Sequence, residues 1–160
     1  MSKEFDYEKW VEECYTKSLN QEIHNASEKN ALLLFERLFD KAIRDKQDVK
    51  IISNKLLARF YNQLVGRFEK ITKNGNMIQV IVEQEIDDKN NNNFYQCSKN
   101  SIKIASNFEG LPNFIVVGDN AYRYETDKNN TKAIANFNDK SMGVFIVDLF
   151  DKINNDIVAV

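Results

Sequence analysis

Proline occurs once in 160 residues, glycine five times, histidine once and cysteine twice, and each scarcity removes a class of chemistry. With five glycines the chain holds neither GxGxxG nor GxxxxGK[ST], so the two common backbone cradles for phosphate are absent. With His24 as sole histidine and Cys14 and Cys97 far apart, no zinc ligand set of the usual kinds can be assembled. The same two cysteines give no disulfide framework and read as reduced thiols of an intracellular protein. GxSxG is missing, and no Ser-His-Asp order survives with His24 as its base. His24 would need a carboxylate or nucleophile brought close by the fold, and otherwise reads as a surface histidine. No cofactor and no metal is expected.

Long apolar runs are lacking too. Nothing approaches the ~20 residues that cross a bilayer, and the segment Met1–Asp6 has no apolar centre of a signal peptide. The expectation is a cytoplasmic protein without a membrane partner, in which the triplets at Asn25 and Asn129 carry no glycan. Excess positive charge is also missing. A net charge of −2 and a pI near 5.5 leave no overall field to attract phosphates. Nucleic acid therefore stays open only as an alternative partner, through a local patch around Lys99, Lys103 and Lys132.

What is present is a folding chain. Apolar residues make up 42%, with 11 phenylalanines and 29% charged residues, enough for one domain with a true core. Tyr7, Trp10, Val11, Cys14 and Tyr15 form one stripe of a helix over 5–19. Residues 20–25 read as a loop, after which Ser27 caps a second helix reaching Asp45, with Leu32, Phe35, Leu38, Phe39 and Ala42 inward. A strand over 48–52, a helix over 55–72 and a strand over 77–86 make a βαβ unit with parallel strands. The middle of the second strand, Val80-Ile81-Val82, is too continuously apolar for a half-exposed ribbon. Residues 87–93 read as a solvated loop. Short strands follow at 101–105, 113–117, 121–125 and 132–137. A last helix over 140–154 buries Val144, Phe145, Leu149, Phe150 and Ile153. The apolar end, residues 157–160, is free to pair with a sheet edge or a partner. The fold class is α/β: a mixed β-sheet, combining a parallel βαβ unit with a C-terminal hairpin, flanked by helices and preceded by an extra N-terminal helix.

Two polar groups invite a functional reading. Glu83 and Glu85 share a strand face and could hold Mg²⁺ with water, or could simply close a solvated strand end. Asp119, Arg123 and Glu125 cluster around a hairpin whose turn is Gly118-Asp119-Asn120. Arg123 and Glu125 point to one face and Tyr122 and Tyr124 to the other. Arg123 is then either an anion-binding group oriented by an acid or half of a surface ion pair worth a few tenths of a kcal/mol.

From about Ala31 onward, some four fifths of the chain resembles the phospholipase D-like fold, in its small single-motif form. The order of elements matches, followed by the stretch PNFIVVGD at 112–119. Active members carry His-x-Lys-x4-Asp on this strand and a Gly-Ser-x-Asn-Phe-like segment downstream. Asp119 stands for the aspartate, and AIANF at 133–137 resembles the downstream segment, with Asn136 in the asparagine position. Counting back from Asp119 gives Pro112 for the histidine and Phe114 for the lysine; a one-residue shift gives Asn113 and Ile115. Neither alignment supplies an imidazole able to form a phosphohistidine, and the spacing to Asn136 exceeds that of active members. The resemblance implies a degenerate, non-catalytic member: a single domain over 1–160, with a helical extension at 1–25 and the core at 27–155.

The expected function is a non-catalytic binding or regulatory module, an accessory subunit of a bacterial or phage multicomponent system. Its expected partner is a protein or a second copy of itself, docked through the first helix unless that helix packs on its own domain. The alternative is a sensor of a phosphate or carboxylate ligand, or a weak hydrolase, using Asp119, Arg123 and Glu125, with Asn136 as a further candidate ligand-binding residue.

Overall fold

A computed structural model describes residues 4–127 and 131–158. Its α-helices are α1 (Tyr7–Thr16), α2 (Glu28–Asp45), α3 (Ala58–Tyr61), α4 (Val65–Lys73), α5 (Asn93–Ser98) and α6 (Lys140–Val158). The strands are β1 (Ile23–Asn25), β2 (Val49–Ser53), β3 (Ile78–Val82), β4 (Ile102–Ile104), β5 (Phe114–Val117), β6 (Ala121–Asp127) and β7 (Lys132–Asn136). They form one mixed sheet in the order β1-β7-β6-β5-β2-β3-β4. Pairing is parallel on the β2-β3-β4 side and antiparallel from β2 through β5, β6 and β7 to β1. The α/β class and the flanking helices are those read from the sequence.

Each face of the sheet has its own core. One face packs Val49, Ile51, Val80, Ile115 and Ala135 under the first five helices, where α2 contributes Leu34, Phe35, Leu38 and Phe39. The other packs Ile52, Ile81, Phe114, Val116 and Tyr122 under α6 alone. Helices α1, α2 and α5 start where a side chain takes up an orphan amide. Ser27 Oγ accepts from Asn30 N at 3.1 Å, and the Asn92 side chain accepts from Tyr95 N at 2.9 Å. Val11 and Cys14 of α1 are buried in the first core, so this helix lies on its own domain.

Several sequence expectations are corrected. Residues 23–25 are an edge strand, because Ile23 is buried and its backbone pairs with β7. The helix expected over 55–72 is split by a 3₁₀ turn at Asn62–Leu64. There the Asn62 side-chain oxygen accepts from Phe94 N of α5 at 3.0 Å. The asparagine-rich loop is partly helical: Phe94 drops into the core against Tyr61 and Phe68. Asn92 goes with it, buried and donating to Leu56 O at 2.9 Å. Strand β3 stops at Val82, so Glu83 and Glu85 do not share a strand face; Glu83 accepts from Leu111 N at 2.7 Å and from Asn54 Nδ2. In α6 the inward residues include Ile146 and Phe150, whereas Val144 is 38% and Phe145 56% exposed. That helix continues through Ile157 and Val158, which therefore pair with no sheet edge; Ala159 and Val160, like Asn129, lie outside the described residues.

A candidate anion-binding cleft at the end of β2

Sheet register builds the site. At one end of the strands, Asn25 of β1 pairs with Ala133 of β7, which pairs with Glu125 of β6. Glu125 N donates to Asn113 O at 3.0 Å, one residue before β5 begins. Ser53 closes β2, one residue past the Ile52–Phe114 pair. Side chains on a strand alternate between faces, so Asn25, Glu125, Asn113 and Ser53 form a polar row on one face, with Ala133 the small residue among them. The next row inward holds Ile23, Ala135, Arg123, Ile115 and Ile51. Arg123 is its one charged member.

A cleft of about 270 Å³ opens over this corner. Phe35 of α2, Phe60 and Tyr61 of α3 and Leu57 before it make an apolar wall, and Asn113, Arg123 and Glu125 make the polar floor. Phe35, Phe60 and Tyr61 meet edge to face, with centroids 5.0–5.9 Å apart, an arrangement that fixes the wall. Ligands in open α/β sheets gather beyond the carboxyl ends of parallel strands where the strand order reverses. Here β2 has its parallel neighbour on one side and antiparallel β5 on the other.

The electrostatics centre on Arg123, which is only 4% exposed. Its Nε donates to Asn25 Oδ1 at 2.8 Å, and its guanidinium carbon lies 5.8 Å from the Phe35 ring centroid. Nη2 is buried with no hydrogen-bond partner among the described residues, and neither has the buried Asn113 Oδ1. Burial lowers the Arg123 guanidinium, with Glu125, Tyr61 and Tyr7 opposing; a guanidinium keeps its charge regardless. Burial also pushes the Tyr61 phenol up to about 12, so it stays protonated near neutral pH. Arg59 and Glu28 at the rim pair with each other at 3.1 Å. Arg123, Glu125 and Lys55 are the cleft's charged residues without an ion pair among the described residues.

The candidate residues read from the sequence divide. Arg123 and Glu125 line the cleft together, and Asn113, the shifted histidine position, stands beside them. Asp119 does not join them: it is at the hairpin turn, at the opposite end of β5, half exposed and 3.7 Å from Lys140. Asn136 is buried at the end of β7, where it donates to Asn20 Oδ1 at 2.9 Å and accepts from Asn138 N at 2.9 Å. Asn25 is the site residue that sequence reasoning missed. Its signal was Ile23, a single apolar residue in a polar stretch, too little to read as a strand. The lysines of the supposed basic patch are spread out, Lys103 on β4 at one edge of the sheet and Lys132 on β7 near the other.

No family model matches the chain, and no curated protein matches it. Among solved structures, the fold is similar to TrmBL2, an archaeal chromatin protein whose structure shows a novel mode of DNA binding. The TM-score is 0.56 at 7% identity, over 91% of this chain. This chain spans 57% of the length of that protein, and at such identity the likeness is one of fold.

Proposed function

We propose that this protein is a non-catalytic, phospholipase D-like binding module that holds the anionic group of a small ligand on Arg123, acting as an accessory or regulatory subunit. The observation that carries this reading is the buried guanidinium of Arg123, a residue that lines the cleft and whose Nη2 has no partner among the described residues. Leaving a buried donor unpaired costs about 1–3 kcal/mol, more when it is charged. A carboxylate or phosphate oxygen removes that cost on binding. The same cleft lacks an imidazole: Asn113 stands where the shifted motif would put the nucleophile, and His24 lies elsewhere, exposed and 3.1 Å from Glu22. Binding without phosphohistidine chemistry follows from that set of side chains.

The test is a titration of ¹⁵N-labelled protein with acetate and with inorganic phosphate, following the Arg123 Nε–H and the side-chain amides of Asn25 and Asn113. Saturable shifts at these groups, lost in Arg123→Ala while the fold persists, are expected. Their absence up to ~10 mM, a binding free energy of only about −2.7 kcal/mol, overturns the reading.

Nucleic acid is the second reading, suggested by the DNA binding of the similar chromatin protein. The acidic balance and the separated lysines weigh against it. A DNA titration at low salt decides: affinity that falls steeply as salt rises would favour this reading over the cleft.

A further inference from the structure

Arg123 and Glu125 stand on the same face of β6, two residues apart, yet they form no ion pair, and Arg123 is turned toward Asn25 instead. Asn113 is opposite Glu125 across the β5–β6 pair and diagonal to Arg123. Directly opposed residues have Cβ atoms ~5 Å apart and diagonal ones ~7–8 Å. The floor of the cleft therefore carries a cationic donor in one row and two acceptors, Asn113 Oδ1 and the Glu125 carboxylate, in the row beside it. Of these, Nη2 and Oδ1 are buried without partners among the described residues.

A simple anion satisfies only half of this arrangement, because it leaves Asn113 Oδ1 unmatched and faces Glu125. A phosphate dianion fares worse, meeting one buried cation and one carboxylate. A polyanion chain is a poor match for a cleft that sets the Glu125 carboxylate beside Arg123 under an apolar wall of Phe35, Phe60 and Tyr61. What matches is a ligand with an anion and a cationic donor fixed close together on an apolar body.

We propose that the cleft takes a free α-amino acid with an apolar or aromatic side chain: its carboxylate on Arg123, its ammonium between Asn113 Oδ1 and Glu125, and its side chain against the Phe35–Phe60–Tyr61 wall. The ammonium supplies the donor that Asn113 lacks and neutralises Glu125. The carboxylate supplies the acceptor that Nη2 lacks. The charge separation of the floor is thus complementary to a zwitterion and to neither ion alone. This inference rests on the anion-binding reading and adds the ammonium site to it.

Calorimetric titration with L-phenylalanine, L-leucine, 3-phenylpropionate and phenethylamine separates the two claims. The amino acids should bind at least ~10-fold more tightly than 3-phenylpropionate, the value of one charge-assisted hydrogen bond in a dry site. Glu125→Gln should remove most of that preference from both sides, weakening the amino acids, whose ammonium loses its carboxylate, and strengthening 3-phenylpropionate, which no longer faces one. Arg123→Lys should weaken every carboxylate. Equal binding of L-phenylalanine and 3-phenylpropionate overturns the zwitterion inference and leaves the anion site standing. No binding of any carboxylate, with the Arg123 resonances unmoved by acetate, overturns both. Circular dichroism of each variant shows whether a loss reflects the site or the fold.

Discussion

Arg123 Nε donates to Asn25 Oδ1 at 2.8 Å, joining positions 98 residues apart in the chain. Asn25 is itself held, donating to Ser27 O at 3.0 Å, so an edge strand and the start of α2 together aim the guanidinium. Asn25→Ala removes the acceptor and leaves Nε buried and bare, and should cost about 1–3 kcal/mol in urea unfolding. Asn25→Asp gives Arg123 a carboxylate of its own. It should recover part of the stability lost in the alanine variant while weakening carboxylate ligands by ~10-fold or more, since the guanidinium is then already occupied. An alanine variant as stable as the natural protein would show that Asn25 does not position Arg123.

The hairpin turn and α6 approach too closely for a side chain to intervene. A Cβ on Gly143 would lie 2.1 Å from the Asp119 carbonyl oxygen, a backbone atom with no room to retreat. Gly143→Ala should therefore cost about 1–3 kcal/mol, the usual penalty of overpacking. Gly66, near the start of α4, has nothing within 4 Å of the same position. Gly66→Ala should stabilise by about 0.4–1 kcal/mol through the unfolded chain. Thermal unfolding of the two variants checks both signs; a neutral Gly143→Ala would mean that α6 can slide on the hairpin.

Local patterns made much of this fold legible, and the unread parts depend on long-range pairing. Ser27 and the inward stripe of α2 are local signals, as is the continuous apolar run of β3, and they gave the βαβ unit directly. Strand β1 was not readable, because three residues carry no period and Ile23 is a strand only by virtue of β7. The rotation of α6 was misread for a related reason. Val144 and Phe145 are as apolar as Ile146, and the close approach at Gly143, invisible in the sequence, selects which of them faces inward. The site was half legible. Period-two spacing put Arg123 and Glu125 on one face, but Asn113 and Asn25 reach it only through cross-strand register.

A chain of charges ties three helices together. Arg37 reaches Glu12 of α1 at 2.7 Å and Asp40 at 2.7 Å, and Arg67 of α4 reaches Asp40 at 2.8 Å and Glu36 at 3.0 Å. Asp40 is the shared member, and removing it takes one of two carboxylate partners from each of two partly buried guanidinium groups at once. Asp40→Ala should cost about 1–3 kcal/mol, against about 0.5 kcal/mol or less for breaking the exposed Lys17–Glu13 pair. If the two cost the same in denaturant unfolding, the five side chains do not act as a network.

Alkaline pH should destabilise the protein through its buried phenols. Burial raises the Tyr61 phenol to about 12 from an ordinary value of 10.0, and burial together with the Asp139 hydrogen bond raises Tyr122. A group whose folded value lies above its unfolded one binds more protons in the folded state across that interval. Its contribution is whole below pH 10 and is lost as pH climbs towards 12. For Tyr61 the loss is on the order of 2–3 kcal/mol. Lys41 works the other way: burial lowers its ammonium, so its effect on stability rises with pH up to the ordinary lysine value. The phenols therefore dominate only above pH 10, and urea midpoints should be nearly flat from pH 7 to 9 before dropping. Tyr61→Phe removes one titrating group and should shallow the drop, at a cost of about 0.5–1.5 kcal/mol near pH 7 for the lost hydrogen bond with Ser53. An unchanged slope in that variant would place the alkaline transition on other groups.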